Sequence, residues 1–281
     1  MSSSRERNDR KHWRPEADKR PSPGRFSGGK GHGKAGPDKD GAEWLWGWHP
    51  VVAALANEAR PAPKRLVATA ERGHQLTERF GKLAGLETLE PGALRDILPA
   101  GAIHQGVALK TPPVEPVAID ELGALASGVI LMLDQITDPQ NVGAIFRSAA
   151  ALGARGVILQ DRHAPALSGA LAKAAAGGID ALPHARVVNL SRALERLTEM
   201  GWRAVGLDGS AKETLAEALD TRPTVLVLGS EGEGLRRLVA EHCDALARIP
   251  MPGGFESLNV SAAAAIALYE ACRPATQGAD S

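Results

Sequence analysis

The feature of this sequence that most constrains its fold is an alternation of short apolar runs with longer helical stretches after residue 127. The apolar runs are four to six residues long and include VILML, GVILQ and TVLVL. Such runs, separated by helices, are typical of strands that are buried on both faces of a mostly parallel sheet. Ligands of these sheets bind beyond the carboxyl ends of the strands, so the loops at those ends are the first place to search for function.

Composition divides the 281-residue chain into five parts. Residues 1–41 are rich in Ser, Gly, Pro and charge with little to bury, so we predict a disordered basic tail. Residues 42–112 have the pattern of a small α/β domain. The three prolines of TPPVEPV indicate a stiff, extended linker over residues 113–126. The alternating region, residues 127–275, is a second α/β domain, and residues 276–281 form a short tail.

Three tryptophans alternate near the start of the predicted N-terminal domain, at Trp44, Trp46 and Trp48. On a strand they would share one face. Such a face stacks nucleic-acid bases in some proteins. Packing in a core or an interface is the favoured interpretation, because that is where aromatic strand residues usually lie.

The formal net charge of zero conceals an asymmetry along the chain. Residues 1–40 carry eleven Lys or Arg and six Asp or Glu, a balance of +5, and the remaining residues have a balance of −5. A basic arm on an acidic body is typical of proteins that bind nucleic acid, although solubility tails have the same composition.

Composition also restricts the compartment. No run of about 18 apolar residues is present, and no apolar segment follows the N-terminal charges, so we expect neither a membrane span nor a secretory signal. The two cysteines, Cys243 and Cys272, lack metal-ligand spacing. We therefore expect a cytoplasmic protein without a disulfide framework and without a metal site.

The first unusual loop lies within LDQITDPQNVGAIFRSAAALGA, residues 133–154. The pattern predicts a strand that ends at Asp134 and a helix that begins near Val142, with Asn141 as its N-cap. Arg147 lies six residues beyond Asn141, about 600° around a helix, so the two side chains need not point the same way. The arginine is either a salt-bridge partner or a bidentate ligand for a phosphate.

The second loop, VLVLGSEGEGL, runs from a predicted buried strand into Gly229, Gly232 and Gly234, with Glu231 and Glu233 between them. Its G-x-x-G-x-G spacing differs from the dinucleotide fingerprint, and it lacks the Gly-Lys-Ser/Thr of a P-loop. Two carboxylates would repel a phosphate. The loop therefore suits a ligand with positive charge or with ribose hydroxyls.

The third loop opens MPGGFESLNVSAAAAIALYEACR, residues 251–273, where polar residues precede a helix made largely of alanine. Ser257, Asn259 and Ser261 are either capping residues of this helix or polar groups held against a ligand. Alanines on the helix would let another element approach closely.

Together, the motifs NVGAIFRSA, LGSEGEGL and IPMPGGFESLNVSAAAAIALYEA resemble those of the SpoU/TrmH (SPOUT) RNA ribose 2′-O-methyltransferases. The resemblance covers about residues 128–273. Upstream, GWHPVVAAL and HQGVAL look like the small substrate-binding domain of the ribosomal subtype, which modifies a guanosine of 23S rRNA.

This resemblance implies an α/β fold whose C-terminal segment forms a trefoil knot, a rare exception to the usual chain connections. It also implies a homodimer that binds RNA and uses S-adenosylmethionine, with no metal. The positions that match the family's cofactor contacts are Gly229, Ile249 and Leu258.

The resemblance further implies a catalytic set, which comprises Asn141, Arg147, Glu231, Ser257 and Asn259. The two asparagines would position groups by hydrogen bonds, and Glu231 would orient Arg147 or a loop. Arg147 would act as the proton acceptor or as an electrostatic stabiliser. The second role is favoured, because a free guanidinium has a pKa of about 12.5 or more and is costly to neutralise.

The sequence leaves three other functions as alternatives. A tRNA ribose 2′-O-methyltransferase belongs to the same class, but such relatives commonly lack the upstream domain. A non-catalytic RNA-binding ribosome-assembly factor would have no need for the five matching site residues. An NAD-dependent oxidoreductase is disfavoured by the missing dinucleotide fingerprint.

Overall fold

The structure, a computed structural model, describes residues 41–255 and 257–276. Apart from Gly41 and Thr276, the two predicted tails therefore lie outside the described residues. The described residues all belong to one compact unit and contain two β-sheets. Among them no helix combines the length and the apolar composition needed to cross a membrane.

The first sheet lies within the predicted N-terminal domain and has four strands in the order β1-β4-β2-β3. Strand β4 is antiparallel to β1 and β2, whereas β2 and β3 are parallel. In chain order the elements are β1 (Glu43–Trp46), α1 (Trp48–Ala56), β2 (Arg65–Ala68), α2 (Ala70–Phe80), β3 (Leu86–Thr88), α3 (Pro91–Asp96) and β4 (Val107–Thr111).

The three tryptophans do not share one strand as the alternation predicts. Trp44 and Trp46 lie in β1 and pack in a small apolar cluster with Val67 and Leu94. Gly47, with φ of 95°, ends the strand, so Trp48 becomes the first residue of α1. All three tryptophans pack against apolar cores, because Trp48 is partly buried against the main core of the protein.

The segment predicted as an extended linker contains a short helix, α4 (Ile119–Gly123). Its Leu122 is buried among the side chains that cover the second sheet. The backbone N–H of Val117 donates to the carbonyl of His184 at 2.9 Å. The prediction of an extended connector was therefore wrong for this part, because apolar residues at helical spacing follow the prolines.

The second sheet has seven strands, all parallel, in the order β7-β6-β5-β10-β8-β11-β9. This confirms the predicted parallel α/β architecture. The elements are β5 (Val129–Leu133), α5 (Pro139–Ala151), β6 (Gly156–Gln160), α6 (Gly169–Ala175), α7 (Gly178–Ala181), β7 (His184–Val187), α8 (Leu190–Glu199), β8 (Arg203–Leu207), β9 (Glu213–Thr214), α9 (Leu215–Ala218), β10 (Thr224–Leu228), α10 (Arg237–Glu241), β11 (Ala245–Arg248) and α11 (Val260–Thr276).

Helices cover both faces of this sheet, which explains the uninterrupted apolar runs. In β5, Leu131 packs on the face covered by α5, α6 and α11, and Met132 packs on the opposite face against α8. All five residues of β5, β6 and β10 are buried. The parallel strands direct the loops after β5, β8, β10 and β11 to one edge of the sheet.

Candidate active site

The helix after β5 begins earlier than predicted. Its N-cap is Asp138, whose carboxylate accepts hydrogen bonds from the backbone N–H groups of Gln140 and Asn141. Pro139 is then the first helical residue, a position that proline favours. Asn141 is therefore the third residue of α5, not its cap, and its side-chain amide is available for contacts outside the helix.

The amide of Asn141 joins a triangle with Glu231 and Asn259 from the other two loops. Asn141 Nδ2 donates to Glu231 Oε1 at 3.1 Å. Asn259 Nδ2 donates to Asn141 Oδ1 at 2.9 Å and to Glu231 Oε1 at 2.8 Å. Residues separated by 90 and 118 positions in the chain therefore meet at one point.

Asn259 also begins the alanine-rich helix. Its Oδ1 accepts hydrogen bonds from the backbone N–H and the hydroxyl of Ser261, at 3.0 and 2.6 Å. The carboxylate of Glu231 accepts the backbone N–H of Val260 at 3.2 Å. The capping interpretation of the third loop therefore holds for Asn259: its oxygen caps α11 while its amide nitrogen faces the other loops.

The glycine-rich loop after β10 folds back upon itself. Ser230 and Gly234 exchange backbone hydrogen bonds of 3.1 and 3.0 Å. A Cβ atom on Gly229 would overlap the backbone of Gly234, so only glycine permits this closure. The closed loop presents Glu231 to the two asparagines.

A cavity of about 710 Å³ lies beside this triangle, a volume typical of sites for small molecules. The three predicted cofactor residues, Gly229, Ile249 and Leu258, all line it. Ser257 lines the cavity as well, and it is exposed. Of the residues grouped by the family resemblance, Asn141 and Arg147 do not line this cavity.

Two acidic groups at strand ends were not among the predicted site residues. Asp134, fully buried at the end of β5, accepts from Arg236 Nε at 2.7 Å and from the Arg236 backbone N–H at 3.0 Å. This pair fixes the far end of the glycine loop. Asp208 follows β8 and lines the cavity. Its position at the carboxyl end of a parallel strand was the signal that sequence reasoning overlooked.

Arg147 stands apart from the triangle. It lies on α5 after the fully buried Phe146, and its own side chain is exposed. Within the described part of the chain, its guanidinium makes no hydrogen bond or ion pair. Glu231 contacts the two asparagines instead, so the predicted orientation of Arg147 by Glu231 is not observed. The guanidinium is available to a ligand.

Acidic charge predominates on the cavity lining, because Asp208, Glu231 and Glu233 line it against the single basic residue Arg248. A cationic ligand is favoured there over an anion. Across residues 41–255 and 257–276, no cluster of three or more His, Cys, Asp or Glu is arranged to bind a metal ion. Cys243 and Cys272 are both free thiols.

Comparisons with known proteins show that the chain is similar to RNA methyltransferases. The SpoU rRNA Methylase family profile matches residues 128–269. The chain is 41% identical over 244 residues to the 23S rRNA (guanosine-2′-O-)-methyltransferase RlmB of Xylella fastidiosa, covering 83% of this chain and 97% of that protein. It is 39% identical over 242 residues to an uncharacterized tRNA/rRNA methyltransferase of Mycobacterium sp. (strain KMS), covering 83% and 77% of the two chains.

Among solved structures, the SpoU methyltransferase AviRb from Streptomyces viridochromogenes in complex with the cofactor AdoMet is similar to this chain. The TM-score is 0.70 at 26% sequence identity, and the match covers 84% of this chain and 91% of that chain. The likeness extends over both sheets, since it spans far more than residues 128–269.

Proposed function

The chain belongs to the SpoU rRNA Methylase family, and from this premise we propose that it transfers a methyl group from S-adenosylmethionine to the 2′-hydroxyl of a guanosine in 23S rRNA. The observation that carries the proposal is the Asn141–Glu231–Asn259 triangle beside the 710 Å³ cavity, which Glu231 and Asn259 line. The relative at 41% identity, named for this activity, supports the substrate.

The cavity fits S-adenosylmethionine. Gly229, Ile249 and Leu258 would hold the cofactor mainly through backbone groups, and glycine at position 229 permits the loop closure that shapes this wall. When bound, the cofactor supplies a methyl group activated by a sulfonium. The carboxylates of Asp208, Glu231 and Glu233 complement that positive charge.

The residues of the chain then position the RNA. Asn141 and Asn259 are each fixed by two contacts within the triangle, so their amides are preorganised toward the reacting hydroxyl. The exposed guanidinium of Arg147 binds a phosphate next to the target ribose and stabilises the negative charge that develops on the 2′-oxygen as its proton passes to solvent water. Ser257, on the cavity wall, donates or accepts a further hydrogen bond.

We infer that the region of the first sheet, residues 42–112, is an RNA substrate-binding domain and that the C-terminal segment forms a trefoil knot. Arg72 and Trp48 support the first inference, since they place a cation on an aromatic ring, 4.8 Å apart. For the knot, the support is that Ala264, Ala267 and Leu268 of α11 are fully buried and that α11 packs against α5 and β10.

We also propose a homodimer in the cytoplasm. On α11, Ile266 and Tyr269 are 43% and 59% exposed, an apolar surface that a second copy would cover. A ribosomal RNA substrate and two free cysteines are in keeping with the cytoplasm. Equilibrium sedimentation of the purified chain tests the dimer.

The decisive experiment uses methyl-labelled S-adenosylmethionine with unmodified 23S rRNA and tRNA in parallel. After alkaline hydrolysis, we expect label in alkali-resistant dinucleotides from rRNA alone. Label from tRNA alone would show that the substrate is tRNA instead of 23S rRNA. If neither RNA is labelled although the cofactor binds, assembling large subunits are tested as the substrate. No label from these subunits either would contradict the catalytic function and favour an RNA-binding assembly factor.

Arg147→Ala tests whether Arg147 acts in methyl transfer without contributing to cofactor binding. We expect it to reduce transfer by about 10²-fold or more, the usual effect of removing one stabilising donor. Cofactor affinity should remain, because Arg147 does not line the cavity. Arg237→Ala, which removes an exposed arginine from α10, is the matched control. Equal loss of cofactor binding and transfer in Arg147→Ala would contradict this assignment.

A further inference from the structure

The two upstream motifs, GWHPVVAAL and HQGVAL, meet at Gln105. The backbone N–H of Trp48, at the start of α1, donates to Gln105 Oε1 at 3.0 Å. Gln105 adopts φ of 53°, a left-handed conformation that is uncommon for a residue other than glycine. The chain keeps an exposed glutamine in this conformation at the point where the two motifs touch.

Two cations converge on the same glutamine. Lys173 Nζ, from α6 of the second sheet's layer, donates to Gln105 Oε1 at 2.7 Å. Arg72 Nε, from α2, donates to the Gln105 backbone carbonyl at 3.1 Å. Neither cation forms an ion pair with a carboxylate of the described residues. The junction of Arg72, Gln105 and Lys173 therefore holds two positive charges around one neutral side chain.

Both cations keep donors for a further ligand. An ammonium has three N–H donors, and Gln105 accepts only one from Lys173. The guanidinium of Arg72 uses Nε for Gln105 and Nη1 for Gln75, at 2.5 Å, which leaves Nη2 without a hydrogen-bond partner among the described residues. Anionic oxygens are the groups that complete such sets.

The turn that follows α6 connects this junction to Arg147. A Cβ on Gly178 would lie 3.1 Å from the backbone nitrogen of Arg147, and a Cβ on Gly177 would lie 3.4 Å from the His49 carbonyl oxygen. Two adjacent glycines are thus wedged between α5 and the first turn of α1. The backbone of Arg147 and the first turn of α1 therefore both pack against this buried turn.

We propose that the junction of Arg72, Gln105 and Lys173 binds phosphates of the RNA strand next to the target nucleotide. This inference rests on the proposed function and deepens it. Arg147 binds the phosphate at the reacting ribose, and a further stretch of the same strand reaches the junction. There, phosphate oxygens take the unused donors of Lys173 and Arg72. A single RNA segment thus contacts the layer of the first sheet and the layer of the second sheet.

A purely structural role for the same contacts gives different results. If Gln105 and Lys173 only hold α6 against α1, removing the lysine would lower the free energy of unfolding and leave the salt dependence of RNA binding unchanged. A phosphate contact shows itself through counterion release, so losing it reduces the slope of log K against log[salt] by about 0.7–0.9. The slope separates the two roles.

The experiment measures binding of the full chain to an unmodified 23S rRNA transcript from 50 to 300 mM salt. Lys173→Gln should weaken binding about tenfold at 50 mM and about fourfold at 200 mM. The slope of log K against log[salt] should fall by about 0.7–0.9, the value for one phosphate contact. Lys173→Arg should restore both quantities. Lys82→Gln, the same change at an exposed lysine of the first sheet's layer, is the control. Cofactor affinity should match wild type in every variant.

Two outcomes would overturn the proposal. One is an unchanged slope in Lys173→Gln and in Arg72→Gln while wild type binds and methylates rRNA, which leaves the proposed function intact. The other is an equal effect of Lys82→Gln, which reduces the junction to general surface charge. Absence of both rRNA binding and methylation in wild type would instead refute the proposed function and this inference together.

Discussion

At the residue scale, one carboxylate oxygen organises the candidate site. Oε1 of Glu231 accepts N–H groups from Asn141, Asn259 and the backbone of Val260. Each hydrogen bond to a charged acceptor is worth about 1.5–3 kcal/mol when it is well formed, and exposure to solvent lowers that value here. The three loops are therefore joined by interactions that also set the directions of the two amides.

Asn259→Asp separates the two roles of Asn259. The carboxylate retains the cap of α11 but loses the Nδ2 donor and places a negative charge beside Glu231. We expect the helix to persist, while methyl transfer falls by about 10²-fold because the triangle is broken. Asn259→Ala should instead lose the cap and about 1 kcal/mol of stability. Circular dichroism, thermal unfolding and the methylation assay distinguish them, and an active Asn259→Asp enzyme would contradict the assignment.

His184 gives the protein a pH-dependent stability. Its ring is almost fully buried in β7, Nδ1 has no hydrogen-bond partner within the described part of the chain, and Phe146 packs against it edge-on. Burial, aided by the positive charges of Arg186 and Arg60, lowers its pKa to about 4. In the unfolded chain this histidine is protonated below about pH 6.5, whereas in the folded protein it stays neutral down to about pH 4. The free energy of unfolding is therefore highest above pH 6.5 and decreases as the pH falls toward 4.

We therefore expect His184→Leu to flatten the pH dependence of unfolding. Between pH 7 and pH 4.5, the wild-type free energy of unfolding should fall by about 2–3 kcal/mol more than that of the variant. Urea unfolding at a series of pH values measures the difference. Parallel curves for the two proteins would show that His184 does not carry this dependence.

At the scale of the elements, a buried ion pair joins α1's C-terminal side to α7. Arg60 Nε lies 2.7 Å from Asp180 Oδ1, and the two side chains are only 3% and 4% exposed. Asn57 Nδ2 donates to the same carboxylate oxygen at 3.1 Å. The layer of the first sheet is thus attached to the second at a desolvated point as well as at Gln105.

Asp180→Ala should destabilise the protein by about 3–5 kcal/mol, because it leaves the Arg60 guanidinium buried without its partner. The control is Glu87→Ala, which breaks the more exposed Arg65–Glu87 pair and should cost far less, because solvent screens that pair. The double variant Arg60→Met with Asp180→Leu should be closer to wild type than Asp180→Ala. Equal costs for the two single variants would refute this.

The sequence predicts elements with a strong local signal and misses those without one. The buried strands β5, β6 and β10 are apolar throughout, and the structure confirms them. The two-residue β9 carries no such pattern. The short helix α7 carries no such pattern either, and it follows a left-handed turn at Ala176, with φ of 50°, in an alanine-rich stretch. The sequence predicted Asn141 as the N-cap of α5, whereas the structure has Asp138 there. Both residue types favour the N-cap, and only the proline after Asp138 distinguishes the two positions.

The site was predictable to the level of loops but not of contacts. The three motifs identified Asn141, Glu231 and Asn259, yet no spacing rule indicates that one carboxylate oxygen would bind both amides. Residues 118 positions apart meet only through the order of strands in the sheet, which a single sequence does not contain. The exposure of Arg147 is likewise a consequence of how α5 packs against α6 and α11.

At the scale of the whole molecule, charge must be reconciled with an RNA substrate. Residues 41–281 carry a net charge of −5, which repels a polyanion at long range, whereas residues 1–40 carry +5. Productive contacts must therefore come from local cations such as Arg147 and Lys173, or from the basic arm. The structure describes only the former, so the contribution of the arm is a separate prediction.

Deleting residues 1–40 should weaken rRNA binding strongly at 50 mM salt and little at 300 mM, because counterion release from a basic arm fades as salt rises. Cofactor affinity should not change, since the cavity lies in residues 207–263. A full-length variant with the eleven Lys and Arg of the arm replaced by Gln separates charge from length. If charge is the cause, this variant binds rRNA as the deletion does at every salt concentration. An affinity equal to wild type at both 50 and 300 mM would show that the arm makes no contact with RNA and that the cations of the folded body suffice.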